Sequence, residues 1–270
     1  MKAAQDVSPL LVASLRTGLA ALVLFAFDAR RIVAVMRALP RKSAAKMVLS
    51  GVLLGLHFAT FVTGVTKTSL AAAVGLLSLE PVAILALAFV VFRARPAALA
   101  VGGVLLATIG AVATGMQAGR GDHTILGDAL VVFSVIVYAI YLIVTRGLRR
   151  EVPLVPYASV AFGIASLSVA PFALASVVGG SGVAAAARVP MLSWAAVVAL
   201  ALLPTALGHT LIARAARTAS PALVALLSPG ESLGSIAIGV LALSAVPTGQ
   251  EAVGALAIVI GATATTLSER

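Results

Sequence analysis

Two glutamates are the residues of this chain best suited to chemistry. Glu80 lies in GLLSLEPVAILALAF (75–89) and Glu231 in ALVALLSPGES (222–232), each embedded in apolar sequence. Each also has a proline beside it, Pro81 after Glu80 and Pro229 before Glu231, with Gly230 a second weak point. Burial disfavours the charged form of an acid, so such a carboxyl group is suited to binding a polar substrate or carrying a proton. Proline deletes a backbone donor and breaks or kinks a helix, which leaves free carbonyls next to the carboxyl group. The structural alternative is a protonated glutamate hydrogen-bonded to a neighbouring helix; its cost in a membrane interior favours the functional role.

Three more ionisable residues fall in apolar surroundings: His57, His209 and Arg16. The histidines could assist a proton relay or act as neutral hydrogen-bonding partners between helices. Arg16 cannot shed its charge. Pairing with a carboxylate in a wet cavity is the expected arrangement, serving either the fold or an anionic substrate group. A weaker signal is the polar stripe Ser134, Tyr138, Tyr141 and Thr145, at spacings that share one helical face. It would line a cavity or pack aromatic rings between helices.

Other chemistries lack their residues. With no cysteine and three histidines, the chain has no thiolate metal site and no disulfide. No zinc-type His-Glu motif, phosphate-binding glycine loop or nucleophile elbow occurs. Neither a metal nor a cofactor is expected, and enzymatic activity is not.

The elements that must position these side chains are membrane helices. The 270 residues are 61% hydrophobic and 10% charged, with a mean hydropathy of +1.14, outside the balance of soluble domains. Nine apolar stretches suit bilayer-spanning helices: 9–27, 47–66, 70–92, 97–115, 125–145, 154–178, 191–213, 220–243 and 250–267. Alternating strands of a membrane barrel are absent, so the fold class is an all-α polytopic membrane protein.

The net charge of +10 is a topology signal rather than a nucleic-acid footprint. With loops assigned alternately, one side receives fourteen basic residues: Arg30, Arg31, Arg37, Arg41, Lys42, Lys46, Arg93, Arg95, Arg146, Arg149, Arg150, Arg214, Arg217 and Arg270. The other receives Lys2, Lys67, Arg120 and Arg188. The positive-inside rule then puts the C-terminus in the cytoplasm and the N-terminus outside the cell membrane.

The two glutamates belong to an internal repeat. Slid by about 150 positions, KTSLAAAVGLLS (67–78) lies over RTASPALVALLS (217–228). Glu80 then meets Glu231, Pro96 meets Pro247, Gly103 meets Gly254, IGAVAT (109–114) meets IGATAT (260–265), and His57 meets His209 within two positions. An odd number of spans separates equivalent helices, so the copies cross the membrane in opposite senses, as in transporters with inverted repeats around a midplane site. The halves are residues 1–115, with four helices, and 116–270, with five. Each glutamate lies eleven residues into its span, about 16 Å deep and near the midplane. Gly102, Gly103, Gly110, Gly254 and Gly261 are expected to permit close helix approach.

These residues resemble the EamA-type permeases of the drug/metabolite transporter superfamily. SPLLVASLRTGLAALVLF (8–25), with Arg16, is similar to that family's second helix, LLSLEPVAILALAFVVF to its fourth, and GDALVVFSVIVYAIYLIVTR (127–146) to its sixth. LGHTLIARAARTASPALVALLSPGES (207–232) is similar to a branch with Gly-His-Thr and Gly-Glu-Pro motifs, here Gly208-His209-Thr210 and Gly230-Glu231-Ser232. The resemblance implies ten helices in two five-helix inverted repeats; this chain starts where the first helix should have ended. FRARP and SAVP stand where a Gly-Glu motif is usual. The inverted repeat and its midplane acids point to a proton-coupled secondary transporter working by alternating access; the resemblance implies that it exports small metabolites, amino acids or related compounds. The competing expectations are a non-transporting scaffold or truncated permease and, last, a membrane-embedded enzyme. The expected partners are a small-molecule substrate, protons and the lipid bilayer.

Overall fold

The computed structural model describes residues 7–93, 96–115, 124–179, 189–244 and 246–269. Lys2, Arg95, Arg120, Arg188 and Arg270 of the charge count lie outside the described residues, as does Ala245 of the SAVP segment. Among the described residues, nine helical stretches are long and apolar enough to cross a bilayer, and each predicted span falls on one of them. The protein is an all-helical, multi-pass membrane protein.

The helices divide into two compact units, Met1–Thr63 with Val144–Arg217, and Gly64–Ile143 with Thr218–Arg270. Each unit takes segments from both halves of the chain. In the first, α1 (Pro9–Ala38) begins with proline at its first turn, where the missing N–H costs nothing. Non-helical backbone at Asp28 (φ −151°, ψ 46°) ends its apolar part where the predicted span ends. The first helical segment thus measures about 28 Å, close to the hydrocarbon thickness. The continuation carries Arg30, Arg31 and Arg37, with Arg31 paired to Asp28 at 3.9 Å.

Small residues let α1 lie against α7 (Leu154–Gly179). The Ser14 hydroxyl donates to the Ser166 carbonyl at 3.2 Å and the Ser166 hydroxyl returns a bond to the Ser14 carbonyl at 2.9 Å. Ser159 reaches the Ala21 carbonyl at 3.1 Å and Ser8 meets Ser176 at 2.8 Å. Apolar burial does not drive association inside lipid, so such hydrogen bonds and close backbone packing hold the pair. Helix α2 (Arg41–Val65) approaches α7 the same way: a Cβ on Gly55 would sit 2.7 Å from the Ala165 carbonyl. The unit is completed by α8 (Met191–Leu200), a π-helical stretch Ala201–His209 and α9 (Thr210–Thr218).

The second unit contains α3 (Leu70–Leu77), α4 (Glu80–Phe92), α5 (Ala98–Gly115), most of α6 (Ile125–Gly147), α10 (Pro221–Ala225), α11 (Leu227–Leu243) and α12 (Gly249–Ser268). Helices α5 and α12 meet through glycines: Gly103 faces Gly261 and Gly110 faces Gly254, and an added Cβ at any of the four would lie 2.3–2.7 Å from the opposing carbonyl. Gly102 has nothing within 4 Å and serves no such approach.

The two predicted spans that carry the glutamates are each broken. Helix α3 ends at Leu77 and α10 at Ala225, each four residues before a proline, Pro81 or Pro229. Those prolines cannot donate to the Leu77 and Ala225 carbonyls, so the helical ladder stops there. The chain tightens instead through Leu79 N–H to the Leu76 carbonyl at 3.1 Å and Leu226 N–H to the Leu223 carbonyl at 3.2 Å. Gly230 is not itself the break: it sits within α11 and donates to the Leu226 carbonyl at 3.0 Å. Downstream, α4 and α11 end at Arg93 and Ser244, both at φ 50°, the non-glycine residues with positive φ among those described.

Candidate functional site

In the first unit, three ionisable residues gather around one aromatic ring. Arg16 on α1 lays its guanidinium over Phe58 of α2, with the central carbon 4.4 Å from the ring centroid. His209, at the end of the π-helical stretch, meets the same ring edge-on at 4.8 Å. His57 tilts against Phe58 at 5.2 Å and stacks on Phe61 at 6.0 Å. Arg16, His57 and Phe58 are buried.

The π-helical stretch explains how Arg16 is held. Pro204 falls inside it and has no N–H for the α-helical bond to the Leu200 carbonyl four residues back. The Thr205 hydroxyl donates to that carbonyl at 2.8 Å. Its oxygen, the proton already committed, accepts from Nε of Arg16 at 2.8 Å. Within this unit, among the described residues, no acidic side chain lies within ion-pair distance of Arg16. A π face and a hydroxyl take its place, because a desolvated cation gains about 2 kcal/mol over an aromatic face and a further charge-assisted hydrogen bond.

In the second unit, Glu80 opens α4 directly after the break and is 8% exposed. Its carboxyl group engages the Ser228 hydroxyl and interacts electrostatically with Glu231. Ser228 and Ser78, the residues at equivalent positions of the two copies, sit at the two breaks. Glu231, one turn into α11, is exposed. The following Ser232 lines a niche of about 280 Å3 with Thr114, Ser235 and Glu251. The stripe on α6 is buried: Ser134, Tyr138, Tyr141 and Thr145 are at most 6% exposed, and the two tyrosine rings stack at 5.7 Å. Among the described residues no group of three metal-ligating side chains converges.

Sequence reasoning missed the partners rather than the charges. Phe58 and Thr205 were invisible because an apolar ring and a threonine are ordinary in a membrane helix; the one available signal was Pro204 immediately before Thr205. Arg217 was counted as a loop charge, yet it is 8% exposed and donates to the carbonyls of Arg149 and Val152 while lying over Tyr157. It pins the turn between α6 and α7. The Tyr157 hydroxyl in turn meets Ser50 and Thr145, at 2.5 and 2.6 Å.

Comparison with known proteins adds three findings. The model of the EamA-like transporter family matches residues 1–116 and 125–267. No curated protein matches the chain. Among 25 matching chains of solved structures, one protein known from a crystal structure aligns over all of this chain and 91% of its own, with a TM-score of 0.79 at 21% identity. That likeness concerns the fold.

Proposed function

The chain belongs to the EamA-like transporter family and is a membrane transporter of the drug/metabolite transporter superfamily; from that premise we propose a proton-coupled exporter of small metabolites, amino acids or related compounds. The family is one of transporters rather than enzymes. Access to the binding residues alternates between the two sides of the cell membrane, with the N-terminus outside and the C-terminus in the cytoplasm.

The observation that carries this reading is the pair of broken helices in the second unit. Each break lies just upstream of a glutamate, and the buried Glu80 shares its field with Glu231. Two acids that interact electrostatically cannot both ionise at little cost, so the pair is suited to hold one proton and exchange it. Pro81 and Pro229 remove the helical i+4 donors of the Leu77 and Ala225 carbonyls, beside each acid. Glu80, Glu231, His57, His209 and Arg16 are the proposed substrate- and proton-binding residues, with Pro81 and Pro229 making the breaks.

Two inverted repeats, 1–115 and 116–270, belong to the same proposal, and reciprocal contacts support it. Gly103 and Gly254 are equivalent by the repeat, as are Gly110 and Gly261. Their contacts run crosswise, Gly103 to Gly261 and Gly110 to Gly254, the pattern a two-fold relation produces. Ser14 and Ser166, 152 positions apart, exchange hydrogen bonds with each other. Arg93 and Ser244, 151 apart, share one unusual backbone conformation.

Purified protein in proteoliposomes, loaded with labelled amino acids and related metabolites and given an imposed pH gradient, tests the function. Saturable, gradient-driven movement is expected; no movement of any compound in the panel overturns it. Cysteine labelling in this cysteine-free chain tests orientation: position 67 reacts from outside in intact cells and position 42 is protected.

A further inference from the structure

We propose that Arg16 grips the carboxylate of the transported substrate end-on, and that Thr205 is the positioning residue that fixes it in that role. The proposal rests on the transporter reading above and names the substrate class for that site.

A guanidinium carries five N–H donors: one on Nε and four on Nη1 and Nη2. Nε is committed to the Thr205 hydroxyl at 2.8 Å, and the central carbon lies over the Phe58 ring, 4.4 Å from its centroid. These two contacts hold the group in place. Among the described residues of this unit, Nη1 and Nη2 make no hydrogen bond. The edge left over presents two parallel N–H bonds, the match for the two oxygens of one carboxylate.

Charge points the same way. Arg16 is 6% exposed and stays protonated. The ionisable groups that share the electrostatic field of this corner are His57 and His209, which carry no negative charge in any protonation state. Among the described residues of this unit no acid is paired with Arg16. A single fixed cation with one open edge fits a planar monoanion. A phosphate dianion would call for further cationic donors, and an ammonium group would be repelled. The substrate's carboxylate, rather than its amine, is therefore the feature read here.

Thr205 acts through Arg16. Pro204 cannot make the α-helical bond to the Leu200 carbonyl, the Thr205 hydroxyl donates to that carbonyl at 2.8 Å, and its oxygen is thereby oriented as an acceptor. Valine at position 205 keeps the shape and removes both bonds; serine keeps both.

The test uses four probes on the purified full chain: leucine, 4-methylvalerate (the carboxylate without the amine), leucinamide and isopentylamine (the amine without the carboxylate). Thermal stabilisation reads binding, and inhibition of uptake in proteoliposomes reads transport. Leucine and 4-methylvalerate should stabilise the wild type and inhibit uptake, while leucinamide and isopentylamine do neither. Thr205→Val should weaken both carboxylates about tenfold, the loss expected when a charge-assisted bond positioning the grip is removed. Thr205→Ser should retain wild-type affinity, and Arg16→Gln should abolish the response. Leucinamide binding as well as leucine overturns the proposal. So does an absence of response to both carboxylates, or equal carboxylate affinity in Thr205→Val and the wild type. Carboxylate binding without any movement across the liposome membrane supports the grip and overturns the transporter reading. Uptake of leucinamide that Arg16→Gln leaves intact does the reverse.

Discussion

The two units solve opposite problems with buried charge. Around Arg16 the first unit surrounds a cation that cannot neutralise itself, and supplies a permanent π face and a hydroxyl acceptor. Around Glu80 the second unit buries an acid that can take up a proton, and gives it one hydroxyl and a second acid. A group locked in its charge needs fixed acceptors; a group able to shed its charge needs few. Under the proposed function, the difference fits anchoring in the first unit and exchange in the second.

The largest effect should come from removing exchange while leaving shape. Glu80→Gln is expected to abolish accumulation driven by a pH gradient while substrate-for-substrate exchange persists, measured as counterflow in proteoliposomes. Glu231→Gln, at an exposed position, should reduce accumulation less. Accumulation at wild-type level in both variants would break the contrast between the units and leave the acids structural.

Next in size is the anchor. Phe58 is 2% exposed and touches Arg16, His57 and His209. Phe58→Ala should cost about 3–5 kcal/mol of stability, the range for a deleted core aromatic. Phe58→Tyr should cost far less, since the π face survives. Thermal unfolding in detergent checks the pair, and equal losses would remove the ring from the account of Arg16.

Close helix approach should follow. A side chain at Gly103 or Gly110 meets a carbonyl oxygen of α12 at 2.5 Å, well inside van der Waals contact. Gly103→Val should therefore destabilise by about 1–3 kcal/mol through overpacking. Gly102→Ala, with open space around it, should be neutral or stabilise by up to about 1 kcal/mol through helix propensity. Opposite signs at neighbouring positions would confirm which face of α5 carries the contact.

The smallest effect concerns the helix ends. Arg93 and Ser244 sit at φ 50°, a conformation that costs a residue with a Cβ about 1 kcal/mol. Arg93→Gly and Ser244→Gly should each stabilise by a fraction of that, and by similar amounts if the two copies are equivalent. Unfolding midpoints that move in opposite directions would count against the repeat.

Much of this could be read in the chain. Runs of apolar residues marked every spanning helix, because a bilayer demands a length and a composition that no other setting demands so strictly. The glutamates, histidines and Arg16 stood out because charge is rare in such runs. The Pro81 and Pro229 breaks were legible in outline, since proline acts through its own missing N–H; their location four residues upstream follows from the helical hydrogen-bond register.

Other features depended on distance in space. Arg16 and Thr205 are 189 positions apart, and nothing local marks either as the other's partner. Within its own unit Arg16 rests on Phe58 and a threonine oxygen. The exposure of Glu231 against the burial of Glu80 is likewise a matter of packing, as the repeat gives the two residues the same local sequence setting. Burial of Arg217 over Tyr157 could not be told from loop charge by counting. Composition and register belong to the sequence, because they act through each residue's own backbone and its affinity for lipid. Partner choice belongs to the tertiary structure, because a buried charge accepts any suitably placed lone pair or π face, and only packing decides which one arrives.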